Sequence, residues 1–215
     1  MYKCVIFDLD GTLANTYQGI YNAYEYAAKN MNISFTGDSL VKEAIGAPLL
    51  SVFKEKFFLN ENDALTAVEF YRKYYAETGK LEATAYDGIL QTLVSLKEEK
   101  YLLGVATLKR ENFAKEILKE LNLAKYFDVI YGMDENDQLT KANLLKKCIL
   151  QLQVRKEDTL LVGDSIYDQI GANEAEIDFM AVTYGFGFCK QSDFHESKFV
   201  AKSASEIFQI LNNVS

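Results

Sequence analysis

Val5-Ile6-Phe7-Asp8-Leu9-Asp10-Gly11-Thr12-Leu13 is the stretch that decides how this chain reads. Val5-Ile6-Phe7 is a short uninterrupted apolar run, the pattern of a strand buried on both faces of a parallel sheet. Two carboxylates follow it directly, two residues apart, so their side chains point the same way while the backbone stays extended. Similar apolar runs recur at Leu102-Leu103-Gly104-Val105-Ala106, Phe127-Asp128-Val129-Ile130-Tyr131, Thr159-Leu160-Leu161-Val162 and Phe179-Met180-Ala181-Val182-Thr183. Helical spacing fills the gaps at 110–121, 141–152 and 165–176, and a further helix is expected from about Ile89 to Glu99. Strands alternating with helices imply an α/β fold, a parallel sheet with right-handed crossovers.

Residues 14–85 break this rhythm and contain no convincing strand. Residues 16–31 have helical spacing, with Ile20, Ala23, Tyr24 and Ala27 on one face. Asn60 is placed to cap a second long helix through Glu77, with Gly79 ending it. Gly46-Ala47-Pro48 punctuates two shorter helices between them. The reading is a helical domain, 15–85, inserted into a core made of 1–14 and 86–215.

A length of 215 residues suits one core plus a smaller insertion, and 49% hydrophobic residues are enough to bury it. The net charge of -8, with lysines scattered among glutamates, argues against a nucleic-acid partner. Cys4, Cys148 and Cys189 are far apart and form no CxxC pair, which argues against a disulfide framework or a zinc site. Cys4 reads as a small buried hydrophobe. The N-terminal segment is too short for a signal peptide's apolar stretch and no run has membrane-spanning length, so the expectation is a cytoplasmic protein.

In open α/β sheets the site lies at the carboxyl ends of the strands. The first run ends in Asp8 and Asp10, the second in Thr107 with Lys109 beyond, and the fourth in Gly163-Asp164 with Asp168 four residues on. Carboxylates gathered at one edge repel unless a cation intervenes, and hard oxygen ligands without His or Cys select Mg²⁺. Mg²⁺ suits phosphate chemistry, in which one aspartate attacks phosphorus and a second acid serves the leaving group. A hydroxyl and a lysine are the groups expected to hold the phosphoryl oxygens, and Thr107 and a lysine supply them.

These motifs, in this order, resemble the haloacid dehalogenase superfamily of phosphohydrolases, in its phosphoglycolate phosphatase-like branch. The resemblance implies a Rossmann-like core with an all-α cap inserted after the first motif. It makes Asp8 the nucleophile and Asp10 the acid/base, whose backbone carbonyl also binds Mg²⁺. Asp164 becomes a metal ligand and Asp168 a metal or supporting carboxylate. Thr107, Lys141 and Gly11 become the phosphate-binding residues. Thr140-Lys141-Ala142-Asn143 lacks the Lys-Pro-x-Pro form of many relatives; Lys146 and Lys147 are poorer candidates because they fall within the helix. Gly46-Ala47-Pro48 resembles a cap turn that approaches the site, and Tyr17, Glu43 and Lys54 are candidates to face the substrate.

The resemblance implies a small phosphorylated metabolite as partner and a monomer or homodimer. Asp10 argues against a dehalogenase. Ile20, and the absence of arginine from Gly46-Ala47-Pro48-Leu49-Leu50, argue against a mutase. A nucleotidase, a pyrophosphatase and a non-catalytic phosphoacceptor remain as rival readings. Lys109 reads as a surface lysine, the aromatic residues of 67–75 as core of the insertion, and His195 as an exposed residue. With that single histidine there is no Ser-His-Asp or metal–histidine chemistry to consider.

Overall fold

The computed structural model describes residues 2–135, 138–188 and 196–214. The chain runs β1 (Cys4–Phe7), β2 (Ala14–Asn15), α1 (Tyr17–Met31), α2 (Asp38–Ala44), α3 (Leu49–Glu55), α4 (Glu61–Glu77) and β3 (Thr84–Ala85). It continues through α5 (Ile89–Glu98), β4 (Leu102–Arg110), α6 (Glu111–Glu120), β5 (Val129–Met133), α7 (Lys141–Leu152), β6 (Thr159–Gly163) and α8 (Ile166–Ala175). β7 (Asp178–Val182), β8 (Phe199–Ala201) and α9 (Ala204–Asn213) complete it. Six strands form one parallel sheet in the order β5-β4-β1-β6-β7-β8.

β1 sits inside this sheet with Phe7 beside Val105 of β4 and Val162 of β6. All four of its residues are fully buried, as the unbroken apolar run requires. Side-chain alternation divides the core. Val5 and Phe7 pack into the cluster shared with α5, α6 and α9, and Cys4 and Ile6 into the one shared with α7 and α8. The register carries Asp8 to the carboxyl edge, where its amide donates to the Val162 carbonyl at 2.9 Å.

The inserted segment is helical apart from its two ends. There β2 and β3 pair antiparallel, Ala14 with Ala85 and Asn15 with Thr84, so the chain leaves and re-enters the core side by side. These strands correct the strand-free reading of 14–85; at two residues each they carry no periodicity to detect. Asn60 caps α4 by accepting from the Asp63 amide at 3.0 Å, worth about 1 kcal/mol. That helix ends at Glu77, with Thr78 as its C-cap. Gly79, expected as its stop, begins a short 3₁₀ turn against α1, where a Cβ on Gly19 would meet the Gly79 carbonyl oxygen at 2.0 Å.

The sequence reading also omitted β8 and α9. Thr107 and Lys109 lie within β4, which runs to Arg110 and loses its regular register against β5 after Ala106. Cys4 and Cys148 are buried free thiols. Cys189 and His195 lie outside the described residues.

Candidate active site

Asp8 follows β1, and its carboxylate is met by Lys141, the first residue of α7. Lys141 Nζ lies 2.5 Å from Asp8 Oδ1 and 2.6 Å from Asp168 Oδ1. Thr140 and Asn143 form a capping box that fixes where α7 starts, and so where the lysine enters. Gly171 on α8 clears its path, since a Cβ there would stand 2.4 Å from Lys141 Cγ. All three charged groups are buried. The lysine therefore reaches Asp8 and Asp168 even without the proline form of its motif.

Asp168 has two duties. Its Oδ2 accepts from the Ser165 amide at 3.0 Å and the Ser165 hydroxyl at 2.6 Å, closing a capping box at the start of α8. Its other oxygen faces Lys141. One side chain thus closes the capping box of Ser165 and faces Lys141. Asp164 Oδ2 accepts from the backbone N–H groups of Phe186 at 2.7 Å and Gly187 at 3.1 Å, and Thr12 Oγ1 lies 3.4 Å from Oδ1. Gly11 adopts φ 81°, and a Cβ there would fall 2.1 Å from Asp164 Oδ2, so only glycine lets the first loop approach this carboxylate. The Gly11 amide itself donates to the Ala14 carbonyl at 2.9 Å.

Oxygens of Asp8, Asp164 and Asp168 lie within 4.8 Å of one another. Burial, with Asp168 and Asp10 beside it, outweighs Lys141 and holds the Asp8 carboxyl up at about 7. Burial and the neighbouring Asp168 and Asp8 push Asp164 well above the usual carboxylate range, against the Phe186 and Gly187 amides. One lysine among three buried carboxylates leaves negative charge uncompensated. Hard oxygen donors with surplus charge fit a hard divalent cation, which would relieve both upward shifts.

Asp10 is turned out of this cluster. Its Oδ1 accepts from Thr16 Oγ1 at 2.5 Å, and its Oδ2 lies 3.0 Å from Lys109 Nζ. The Lys109 side chain is only 7% exposed, so it is not a surface lysine, which corrects the sequence reading. Its ammonium donates to the Tyr75 hydroxyl at 2.8 Å and lies 4.3 Å from that ring's centroid. Burial alone would lower its pKa; Asp10 and Tyr75 outweigh that and hold it above the ordinary lysine value. The Tyr75 phenol from α4 thus holds the β4 lysine that pairs with Asp10.

Asp8, Asp10, Thr107, Lys109, Lys141 and Asp168 line one cavity of about 420 Å³. Thr107 is buried two residues beyond Val105, and its Oγ1 accepts from the Lys109 amide at 3.2 Å. The inserted helices supply the opposite wall, including Ile20, Tyr24, Leu65, Val68 and Tyr71, with the Gly46-Ala47-Pro48 turn beside them. A Cβ on Gly46 would stand 3.4 Å from Ser165 Oγ, so this turn does reach the core. Tyr71 and Tyr75, expected only as core, also line the cavity. Tyr17, Glu43 and Lys54 do not; they pair with Asp38, Lys56 and Glu61 respectively.

A parallel α/β sheet with acids, a threonine and a lysine converging at its carboxyl edge defines a phosphoryl-transfer hydrolase. The chain belongs to the haloacid dehalogenase-like hydrolases, whose family model matches residues 5–182, and it is a phosphatase of that family. It is 30% identical to a 5'-nucleotidase of Pseudomonas aeruginosa over 99% of this chain and 96% of that one. It is also 30% identical to the pyrophosphatase PpaX of Halalkalibacterium halodurans, over 96% of this chain and 95% of that one. A crystal structure of a predicted phosphatase from Clostridium acetobutylicum superposes with a TM-score of 0.93 at 33% identity, covering 99% of both chains. Among the described residues no helix is long and apolar enough to cross a membrane.

Proposed function

We propose that the chain is a Mg²⁺-dependent phosphomonoesterase that works through an aspartyl-phosphate on Asp8. The observation that carries this reading is the convergence of Asp8, Asp168 and Lys141 within 2.6 Å contacts, with Asp164 beside them and Asp10 held separately. The separation supports two roles: an ionised carboxylate that attacks, and an acid/base kept out of the charge cluster.

Asp8 attacks phosphorus as the P–O bond to the leaving oxygen breaks, and Asp10 delivers a proton to that oxygen. Asp10 then takes a proton from water as the water oxygen attacks phosphorus. The bond to Asp8 breaks, releasing phosphate and the free carboxylate. Lys141 and the Thr107 hydroxyl hold the equatorial oxygens, whose charge is greatest in the transition state. Mg²⁺ would be held by Asp8, Asp164, the Asp10 carbonyl and Asp168, directly or through water, and would supply positive charge for Asp8 and the phosphoryl oxygens to share. Lys109, itself held by Tyr75, and Thr16 fix the Asp10 carboxylate. Residues 15–85 act as a cap that excludes water and reads the leaving group. A small phosphorylated metabolite in a cytoplasmic setting is the substrate this reading expects.

The test is phosphate release from an aryl phosphate. Wild type should turn over with Mg²⁺ and stop with EDTA, and Asp8→Asn should lose about 10⁴-fold or more in kcat. Equal release by wild type and Asp8→Asn would reject the reading.

A further inference from the structure

The cavity above Asp8 has more room than the smallest phosphate esters fill, and part of its wall is apolar. From this we infer the leaving group: a flat aromatic ring, carried on an aryl phosphate or on a nucleoside 5'-monophosphate. The inference rests on the phosphatase reading above and deepens it.

Size is the first argument. About 420 Å³ lies within the roughly 300–1,000 Å³ typical of pockets for drug-sized ligands. A phosphoryl group with a two-carbon acid would leave most of that space to water. The lining is the second. Opposite the charged floor stand Ile20, Tyr24, Val68 and Tyr71, all buried side chains of the inserted helices. Leu65 continues the same wall from α4 and is 47% exposed, a large apolar side chain left open beside the cavity. On α4, Leu65, Val68 and Arg72 follow at spacings of three and four, so one helical stripe faces the cavity.

An aromatic ring has partners in this wall. Tyr24 and Tyr71 meet edge to face with centroids 4.7 Å apart, a surface on which a third ring can pack. No hydrogen bond ties either hydroxyl to another described residue, which leaves both for the polar edge of a ligand.

The test compares kcat/KM of the purified protein with Mg²⁺ on naphthyl phosphate, nucleoside 5'-monophosphates, phosphoglycolate and pyrophosphate. Ring-bearing esters should exceed the other two by about tenfold or more, mainly through lower KM. Leu65→Asn, at an exposed position, should lower the ratio of ring to two-carbon efficiency by about tenfold. Equal performance of naphthyl phosphate and nucleotides supports recognition of the ring alone; preference for nucleotides supports a ring reached through a sugar. Phosphoglycolate or pyrophosphate matching or exceeding the ring esters would overturn the inferred leaving group and leave the phosphatase reading intact. Absence of Mg²⁺-dependent turnover on every compound would instead overturn the phosphatase reading.

Discussion

Replacing Lys109 by methionine separates burial from distance as the source of an ion pair's worth. Lys109 Nζ is 3.0 Å from Asp10 Oδ2, and the two side chains are 7% and 11% exposed. Lys115 and Glu111 are closer, at 2.6 Å, but 53% and 33% exposed. An exposed i,i+4 pair contributes about 0.3–0.5 kcal/mol, because water competes and two long side chains must be ordered. Breaking a buried pair from one side costs about 3–5 kcal/mol, because the partner charge is left without compensation. Asp10 keeps its Thr16 hydrogen bond and a little water, so the lower end applies, about 3 kcal/mol. For a chain of this size each kcal/mol moves Tm by about 2–4 °C, so Lys109→Met should melt about 6–12 °C below wild type. Lys115→Met should melt within about 2 °C of it. Calorimetry on metal-free protein at neutral pH reads both. Equal shifts for the two variants would refute the buried clamp on Asp10.

The Asp8 pKa gives a pH dependence with a definite sign. The folded chain holds this proton up to about 7, against 3.8 ordinarily, so between those values the folded state binds more protons than the unfolded one. This group's contribution is therefore complete at low pH and lost as pH rises towards 7; added Mg²⁺ should raise Tm more at pH 8 than at pH 5, and an equal rise at both would contradict this. Asp10→Asn should reduce turnover by about 10²–10⁴-fold, more for alkyl than for aryl phosphates, because a poor leaving group depends most on the donated proton; leaving-group dependence measured across a substrate series checks it. In Gly171→Ala the new methyl would meet Lys141 at 2.4 Å, displacing the lysine and lowering kcat by about tenfold or more; unchanged kinetics would show that α8 yields instead.

Much of the site was legible because it lies where buried strands end. Asp8 and Asp10 follow a run that can only be interior, and Asp164 and Asp168 follow another, so their meeting needs only adjacent strands. Lys141 was singled out through the family resemblance, as the residue opening a helix 23 residues before Asp164. Lys109 was not. Between Leu108 and Arg110 it carries a surface pattern, and its burial comes from Tyr75, 34 residues away on an inserted helix. The cavity-lining faces of Tyr71 and Tyr75 were hidden for the same reason: an apolar stripe on α4 serves both the helical core and the cavity. The amides of Phe186 and Gly187 that hold Asp164 belong to a loop, and backbone donors leave no side-chain signature. β2 and β3 were too short to show any period, yet they set where the insertion joins the core.

The central claim is that Asp8 carries the phosphoryl group. With an aryl phosphate, whose leaving group needs little help from an acid, Asp10→Asn slows mainly the second step and should let the intermediate accumulate, so this variant can be quenched in acid during turnover with Mg²⁺ and digested. Mass spectrometry should then find the peptide containing Asp8 heavier by one phosphoryl group, with the addition removed by hydroxylamine. A phosphoryl group found elsewhere, or phosphate release undiminished in Asp8→Asn, would contradict the account.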